Sequence, residues 1–140
     1  MSLWIGETRD IATCLRLRRV VFIDEQAVPE ALEVDGLDAA ARHLLAMWDG
    51  VPIGTARLMA DGDCGKIGRV CVLAEGRGRG IGAALIRKAV AEFRLVPEVL
   101  RVKLGAQTQA LGFYHALGFK ADGDEYQDAG IAHLDMVLVL

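Results

Sequence analysis

Long apolar runs, prolines and pairable cysteines are all scarce in this chain of 140 residues. No apolar stretch approaches the roughly 18 residues that cross a bilayer as a helix. The apolar end Met136-Val137-Leu138-Val139-Leu140 is far too short for that. The start carries none of the basic, apolar and small-residue regions of a secretory signal. A cytoplasmic setting without a membrane partner is therefore expected. Cys14, Cys64 and Cys71 are odd in number and irregular in spacing. They suit buried thiols in a reducing compartment, not a disulfide framework or a zinc site. His43, His115 and His133 are scattered without Cys or carboxylate partners at ligand spacing, so no metal site is expected. Excess positive charge is missing too. A net charge of −3 at pH 7 argues against a nonspecific nucleic-acid binder.

What is present suits one globular domain spanning 1–140: 53% of residues are hydrophobic and 25% charged. The distribution of charge says more than its sum. Between Arg19 and Arg42 stand six carboxylates, Asp24, Glu25, Glu30, Glu33, Asp35 and Asp38, and no Lys or Arg. From Lys66 to Arg94 the bias reverses, and after Phe119 the chain turns acidic again. A basic middle suits a polyanionic cofactor, and acidic flanks suit a cationic partner. Solvated faces are the plainer alternative.

Periodicity predicts the elements. Leu3 to Gly6 reads as a short strand, and Thr8 as the cap of a helix carrying Ile11, Cys14, Leu15, Leu17, Val21 and Phe22 at helical spacing. Glu30 to Asp38 reads as a loop or short helix. Two strands, His43 to Asp49 and Val51 to Ala60, meet at Asp49-Gly50, a hairpin signal. A strand follows from Lys66 to Leu73, then a helix from Arg79 to Phe93 with Leu85, Ile86, Ala89, Val90 and Phe93 inward. Val99 to Leu104 is a strand, Gln109 to Leu117 a short helix that Gly118 stops, and strands Phe119 to Gln127 and Ile131 to Leu140 close the chain. The order β-α-β-β-β-α-β-α-β-β gives an α/β (α+β) domain, a mixed sheet flanked by helices.

The most informative stretch runs from Val70 through Glu75-Gly76-Arg77-Gly78-Arg79-Gly80-Ile81-Gly82. A strand enters a glycine-dense turn that opens a helix. The first helical amides lack internal partners and, with the dipole, form an anion site. Each glycine inside a helix costs about 1 kcal/mol relative to alanine, so three in one turn ask for a reason beyond folding. A Walker loop fails because no Gly-Lys-Ser/Thr follows. Gly78-x-Gly80-x-x-Ala83 fits the looser dinucleotide pattern, but mid-chain and with too little sequence after it. The Arg-x-x-Gly-x-Gly turn from Arg77 to Gly82 resembles the pyrophosphate motif of the GNAT superfamily of acyl-CoA N-acyltransferases.

A second signature supports the resemblance. Gly112-Phe113-Tyr114-His115-Ala116-Leu117-Gly118-Phe119 is similar to the family's Phe-Tyr-x-x-x-Gly-Phe segment. Val21 to Pro29, Asp35 to His43, Gly54 to Leu58 and Gly130-Ile131-Ala132-His133 resemble the ElaA-like subgroup. Ala132 departs from the proline commoner there, and Gln107 from the asparagine of many superfamily members. The resemblance implies a mostly antiparallel sheet with a V-shaped splay between central strands, into which the pantetheine arm of acetyl-CoA, a cosubstrate, inserts. It implies that backbone groups of Val70, Cys71 and Val72 pair with that arm, and that Arg77, Gly78, Arg79, Gly80, Ile81, Gly82 and Ala83 hold the pyrophosphate. Gln107, Phe113 and Tyr114 complete the cofactor site.

The implied activity is transfer of acetyl to a primary amine, on a small molecule or a peptide. Tyr114 matches the family's general acid, and a phenol can donate to a thiolate. His133 is the favoured base, since histidine titrates near neutral pH, with Glu25, Glu33 and Asp35 as rivals. Those three and Arg69 also stand as acceptor-binding residues, Arg69 having a surface ion pair as its alternative. His43 and His115 have structural roles only. Two other functions stay open: a CoA-binding sensor or interaction module without turnover, and a dinucleotide-dependent oxidoreductase. The apolar last strand could pair across a homodimer.

Overall fold

The computed structural model describes residues 2–140, with Met1 outside them. The chain runs β1 (Leu3–Thr8), α1 (Ile11–Arg18), a π-helical stretch Arg19–Glu25, and α2 (Glu30–Glu33). It continues through β2 (Arg42–Trp48), β3 (Val51–Asp61), β4 (Cys64–Val72) and α3 (Ile81–Arg94). β5 (Arg101–Gln107), α4 (Leu111–Ala116), β6 (Lys120–Ala121), β7 (Tyr126–Asp128) and β8 (Ile131–Val139) complete it. One eight-stranded sheet has the order β1-β2-β3-β4-β5-β8-β6, with β7 also paired to β8. Every pairing is antiparallel except β4 with β5, and α3 is the crossover that this parallel pair needs.

Alternation along the strands sorts the core into two faces. Leu44 and Ala46 of β2 join the cluster with Leu85, Ile86, Ala89 and Phe93 of α3, whereas Leu45 packs with Cys14, Leu17 and Val21. Helices α1 and α3 thus cover opposite faces. Phe93 reaches the sheet only because β4 has Gly65 beneath it: a Cβ there would stand 2.6 Å from the ring.

The hairpin at Asp49-Gly50 forms with both residues at positive φ (50° and 80°), and Ala129-Gly130 repeats it between β7 and β8 (52° and 77°). Other expectations need correcting. Asp10, not Thr8, caps α1: Thr8 ends β1, while Asp10 Oδ1 accepts from the Thr13 amide at 3.2 Å. The first helix also widens into π geometry, with Gln26 N–H reaching Val21 O at 3.1 Å. Phe22 and Gln26 of this stretch line a cleft, Phe22 while still packed against Cys14, Leu17 and Val21. The long strand from Phe119 is broken. Ala121 pairs with Met136 and Tyr126 with His133, so four residues around Gly123 (φ 97°) oppose two. Helix α3 starts at Ile81 because Gly78 and Gly80 hold positive φ (78° and 76°) just before it.

The sheet opens at its centre. Parallel pairing of β4 with β5 runs from Cys64–Arg101 to Ile67–Leu104 and stops. There β4 bulges: Thr55 pairs with Cys71 and Arg57 with Gly68, so β4 holds an extra residue, and Arg69 sits at φ 51°. A bulge bends its strand, and beyond it β4 and β5 diverge as a V.

Candidate active site

A cleft of about 410 Å³ begins where the two strands part. Val70 on one wall, Gln107 on the other, and Tyr114 and His133 farther along all line it. The Cys71 side chain points away from the cleft. It packs with Cys14 and Leu17 on the α1 face, and burial pushes its thiol up to about 12. Past the bulge β4 is paired on its β3 side, through Cys71 and Val72, and its β5 side is open.

The glycine turn lies at the end of β4. Cβ atoms at Gly78 and Gly80 would meet nothing within 4 Å, so positive φ, not crowding, calls for glycine there. Gly80 caps α3 without a side-chain hydrogen bond, and the first intrahelical bond of the turn is Ala84 N–H to Gly80 O at 3.0 Å. The amides of Ile81, Gly82 and Ala83 precede that ladder as an anion-binding set. Gly82 has room too, its nearest neighbour being Phe113 at 3.6 Å from a would-be Cβ, which brings Phe113 beside the turn. The arginines are more committed than the amides. Arg77 donates to Val72 O at 3.0 Å and to Glu25 at 2.7 Å, and Arg79 stacks over Trp48 at 5.0 Å.

Tyr114 is half-buried, edge-on to Phe113 and Phe119 with centroids 5.0 and 6.2 Å away. Burial raises the affinity of its phenol for the proton, so it is an acid at neutral pH. His133 stands on β8 opposite Gln107 of β5. Its Nδ1 lies 2.7 Å from Ile131 O. A carbonyl only accepts, so Nδ1 is the protonated nitrogen of the neutral ring, the tautomer whose lone pair is on Nε2. Gln107 donates to Gln26 Oε1 at 3.1 Å, tying β5 to the π-helical stretch.

The acidic loop is spoken for. Glu33, 3% exposed, accepts from Arg18 Nε at 2.7 Å; Arg18 is itself 1% exposed. Arg18 also holds Asp38 at 2.7 Å, and Arg57 grips Asp35 at 2.8 and 2.9 Å and Asp38 at 3.1 Å. Arg69 donates to Glu33 O at 3.0 Å and Asp35 at 3.2 Å. Its Nε is 3.3 Å from Glu33 Oε1, an ion pair too oblique to count as a hydrogen bond. Hydrogen bonds from Arg57 hold the Asp35 carboxyl well below the usual range against the pull of burial. Glu25, by contrast, sits at the glycine turn with Arg77. The structure therefore brings Tyr114, His133, Arg69 and Glu33 to one cleft and leaves Glu25 outside its lining. Arg18, Arg57 and Asp38 were missed by sequence reasoning. The available signal was Arg18 itself, an arginine one turn after Cys14 on an apolar stripe. His43 is structural, with Nε2 2.9 Å from Asp38 O.

Among the described residues no group of His, Cys, Asp and Glu could hold a metal ion, and no helix is long and apolar enough to cross a membrane. The family model for the acetyltransferase (GNAT) domain matches residues 13–140. A candidate acetyltransferase of Bacillus subtilis (strain 168) is 37% identical over 137 residues, covering 94% of this chain and 91% of the relative. An acyl-CoA N-acyltransferase from Pseudomonas aeruginosa superposes with TM-score 0.85 at 30% identity, over 99% of each chain. Escherichia coli ElaA superposes with TM-score 0.86 at 26% identity, over 98% of this chain and 99% of ElaA. A GNAT acetyltransferase from Elizabethkingia anophelis, solved with acetyl-CoA bound, shares the fold (TM-score 0.77, 15% identity, 99% and 98% covered). With the splayed sheet, the glycine turn at the start of α3 and these matches together, the chain belongs to the GNAT acetyltransferase family and is ElaA-like within it.

Proposed function

We propose that this acetyltransferase takes acetyl from acetyl-CoA and transfers it to a primary amine by direct attack. One observation carries the reading: the V between β4 and β5 connects outward-facing amides at the start of α3 to a cleft holding a phenol and an imidazole. The fit to acetyl-CoA rests on open space at Gly78 and Gly80 and on the unladdered amides of Ile81, Gly82 and Ala83, which would take the pyrophosphate. The open side of β4 from Val70 to Val72 offers backbone groups to the pantetheine amides, as an edge strand does. Acetyl-CoA supplies the acyl group as a thioester.

The protein's residues then move two protons. His133 Nε2 takes one from the incoming ammonium, leaving the nitrogen lone pair to form the N–C bond. As the C–S bond breaks, the Tyr114 hydroxyl gives its proton to the departing thiolate. After the attack the nitrogen, now cationic, sheds its second proton to solvent and Tyr114 recovers one from solvent. The balance is a neutral amide, a free thiol and the one net proton first taken by His133. Glu33 and Asp35 serve this reading as supports of the acceptor wall, because their oxygens are taken by arginines.

The test is acetyl-CoA-dependent thiol release across a panel of amines, polyamines, amino acids and peptides. At least one amine should give turnover that is lost on its omission. Tyr114→Phe keeps the ring packing, and general acid catalysis typically contributes about 10²–10⁴-fold. Its kcat should fall toward the lower end of that range with acetyl-CoA affinity unchanged. Binding of acetyl-CoA without thiol release on any amine would favour a CoA-binding module. Equal kcat in Tyr114→Phe, with chemistry rate-limiting, would remove the acid.

A further inference from the structure

Tyr126 lies three residues before the β7–β8 turn, and the hairpin register sets it directly opposite His133. The two rings stack with centroids 5.8 Å apart and planes at 23°. The tyrosine is fixed at its far end, its hydroxyl donating to Asp135 Oδ1 at 2.7 Å. Asp135 is held in turn by Lys103 Nζ at 3.2 Å from Oδ2. This arrangement requires a missing side chain. Gly105 of β5 pairs with Asp135, and a Cβ on it would stand 2.5 Å from the tyrosine hydroxyl. The tyrosine hydroxyl thus comes to rest above Gly105, on the strand that forms one wall of the V. Backbone φ gives no reason for glycine at this position, since Gly105 is not among the residues at positive φ. The glycine is explained by the tyrosine.

We propose that Tyr126, seated over Gly105 and anchored by Asp135, is a positioning residue that fixes the His133 ring with Nε2 toward the cleft. The proposal rests on the reading of His133 as the base. Two constraints define the imidazole: the Ile131 carbonyl takes the Nδ1 proton, and the Tyr126 face sets the ring plane. Either alone leaves the ring a rotation. Together they leave one tautomer in one orientation, as a base must be before the amine arrives.

The experiment uses the full chain with three variants. Gly105→Ala is an exposed position whose new methyl displaces the tyrosine hydroxyl without touching Tyr126 or His133 in sequence. Tyr126→Leu removes the ring, and Tyr126→Phe keeps it while losing the bond to Asp135. An ångström of misplacement can cost up to about 10²-fold. Gly105→Ala and Tyr126→Leu should therefore lower kcat by about tenfold or more with KM for acetyl-CoA unchanged, and Tyr126→Phe by less. Turnover alone does not separate positioning from general damage, so the ¹⁵N and Hε1 resonances of His133 are followed too, assigned by their loss in His133→Gln. Wild type should show the Nδ1-protonated tautomer with a ring-current shift. In Gly105→Ala and Tyr126→Leu the shift should collapse and the tautomers mix. Unmoved resonances, or moved resonances with unchanged kcat, would overturn the proposal. Failure of the underlying reading looks different: His133→Gln itself would keep wild-type turnover and pH profile.

Discussion

At Gly78 to Ala83 the fold leaves backbone donors facing outward, whereas from Asp24 to Asp38 it gives nearly every carboxylate a cation. Among the described residues Asp24 alone of those six has no ion pair. Both regions are charge-biased in the sequence, one basic and one acidic, and both invite a ligand of the opposite sign. Only the first keeps its capacity. Its anion-binding power comes from amides that α3 cannot satisfy internally, so no neighbouring side chain needs to be spent there. The acidic segment has its counter-charges delivered from α1, β3 and β4 by Arg18, Arg57 and Arg69. A run of like charge in sequence is a ligand site only if the fold does not bring its opposite alongside.

Substitutions in the two regions should break differently. Glu33→Ala takes an acceptor oxygen from the buried Arg18 and the half-buried Arg69, and deleting one partner of a buried pair costs about 3–5 kcal/mol. Because Arg18 keeps Asp38, the lower end is expected, read as a lower urea midpoint at unchanged slope. Gly82→Glu fills open space at a helix start and should shift stability by no more than about 1 kcal/mol. Equal losses in the two variants would mean the network is a surface ornament and the turn a folding element.

Acid should sharpen the contrast with a smaller effect. Asp35 is held below the usual carboxylate range first by hydrogen bonds from Arg57, and burial opposes. For Asp38 burial pulls upward, but hydrogen bonds and charge from Arg18 and Arg57 prevail. A carboxylate whose folded value lies below its unfolded one, about 3.9, adds stability that is fully present above that pH. The contribution is lost as pH falls through the folded value. Stability should thus hold from neutrality to about pH 5 and decline below about pH 4. The gap between wild type and Arg57→Gln should narrow over the same window. A gap independent of pH would detach these aspartates from Arg57.

How much of this was legible follows the range of the interactions involved. Asp49-Gly50 and Ala129-Gly130 are local signals, and each fixes a register by counting outward. The second places Tyr126 opposite His133, a pairing open to anyone who trusted the turn. The break after Ala121 also had its mark in Asp122-Gly123-Asp124. The glycine turn before α3 and the short helix carrying Tyr114 were legible as elements because each lies in a contiguous motif. The arginine–carboxylate network was not, since Arg18 with Asp38 and Arg57 with Asp35 join residues 20 and 22 positions apart in the sequence. The π-helical stretch was equally hidden. Its apolar residues keep an α-like spacing in sequence, and only packing shows Phe22 and Gln26 facing the cleft.

The most direct test is a calorimetric titration of acetyl-CoA into the wild-type protein and into Gly82→Glu. The account predicts binding to wild type with a dissociation constant on the order of micromolar, within the usual range of enzyme substrates. At about 100 times that constant the ligand should add roughly 2.7 kcal/mol of stability. The glutamate variant should stay folded and give no heat, because its carboxylate meets the pyrophosphate at the α3 amides. Wild type giving no heat at millimolar acetyl-CoA, or Gly82→Glu binding as tightly as wild type, would contradict the assignment of this turn and the function built on it.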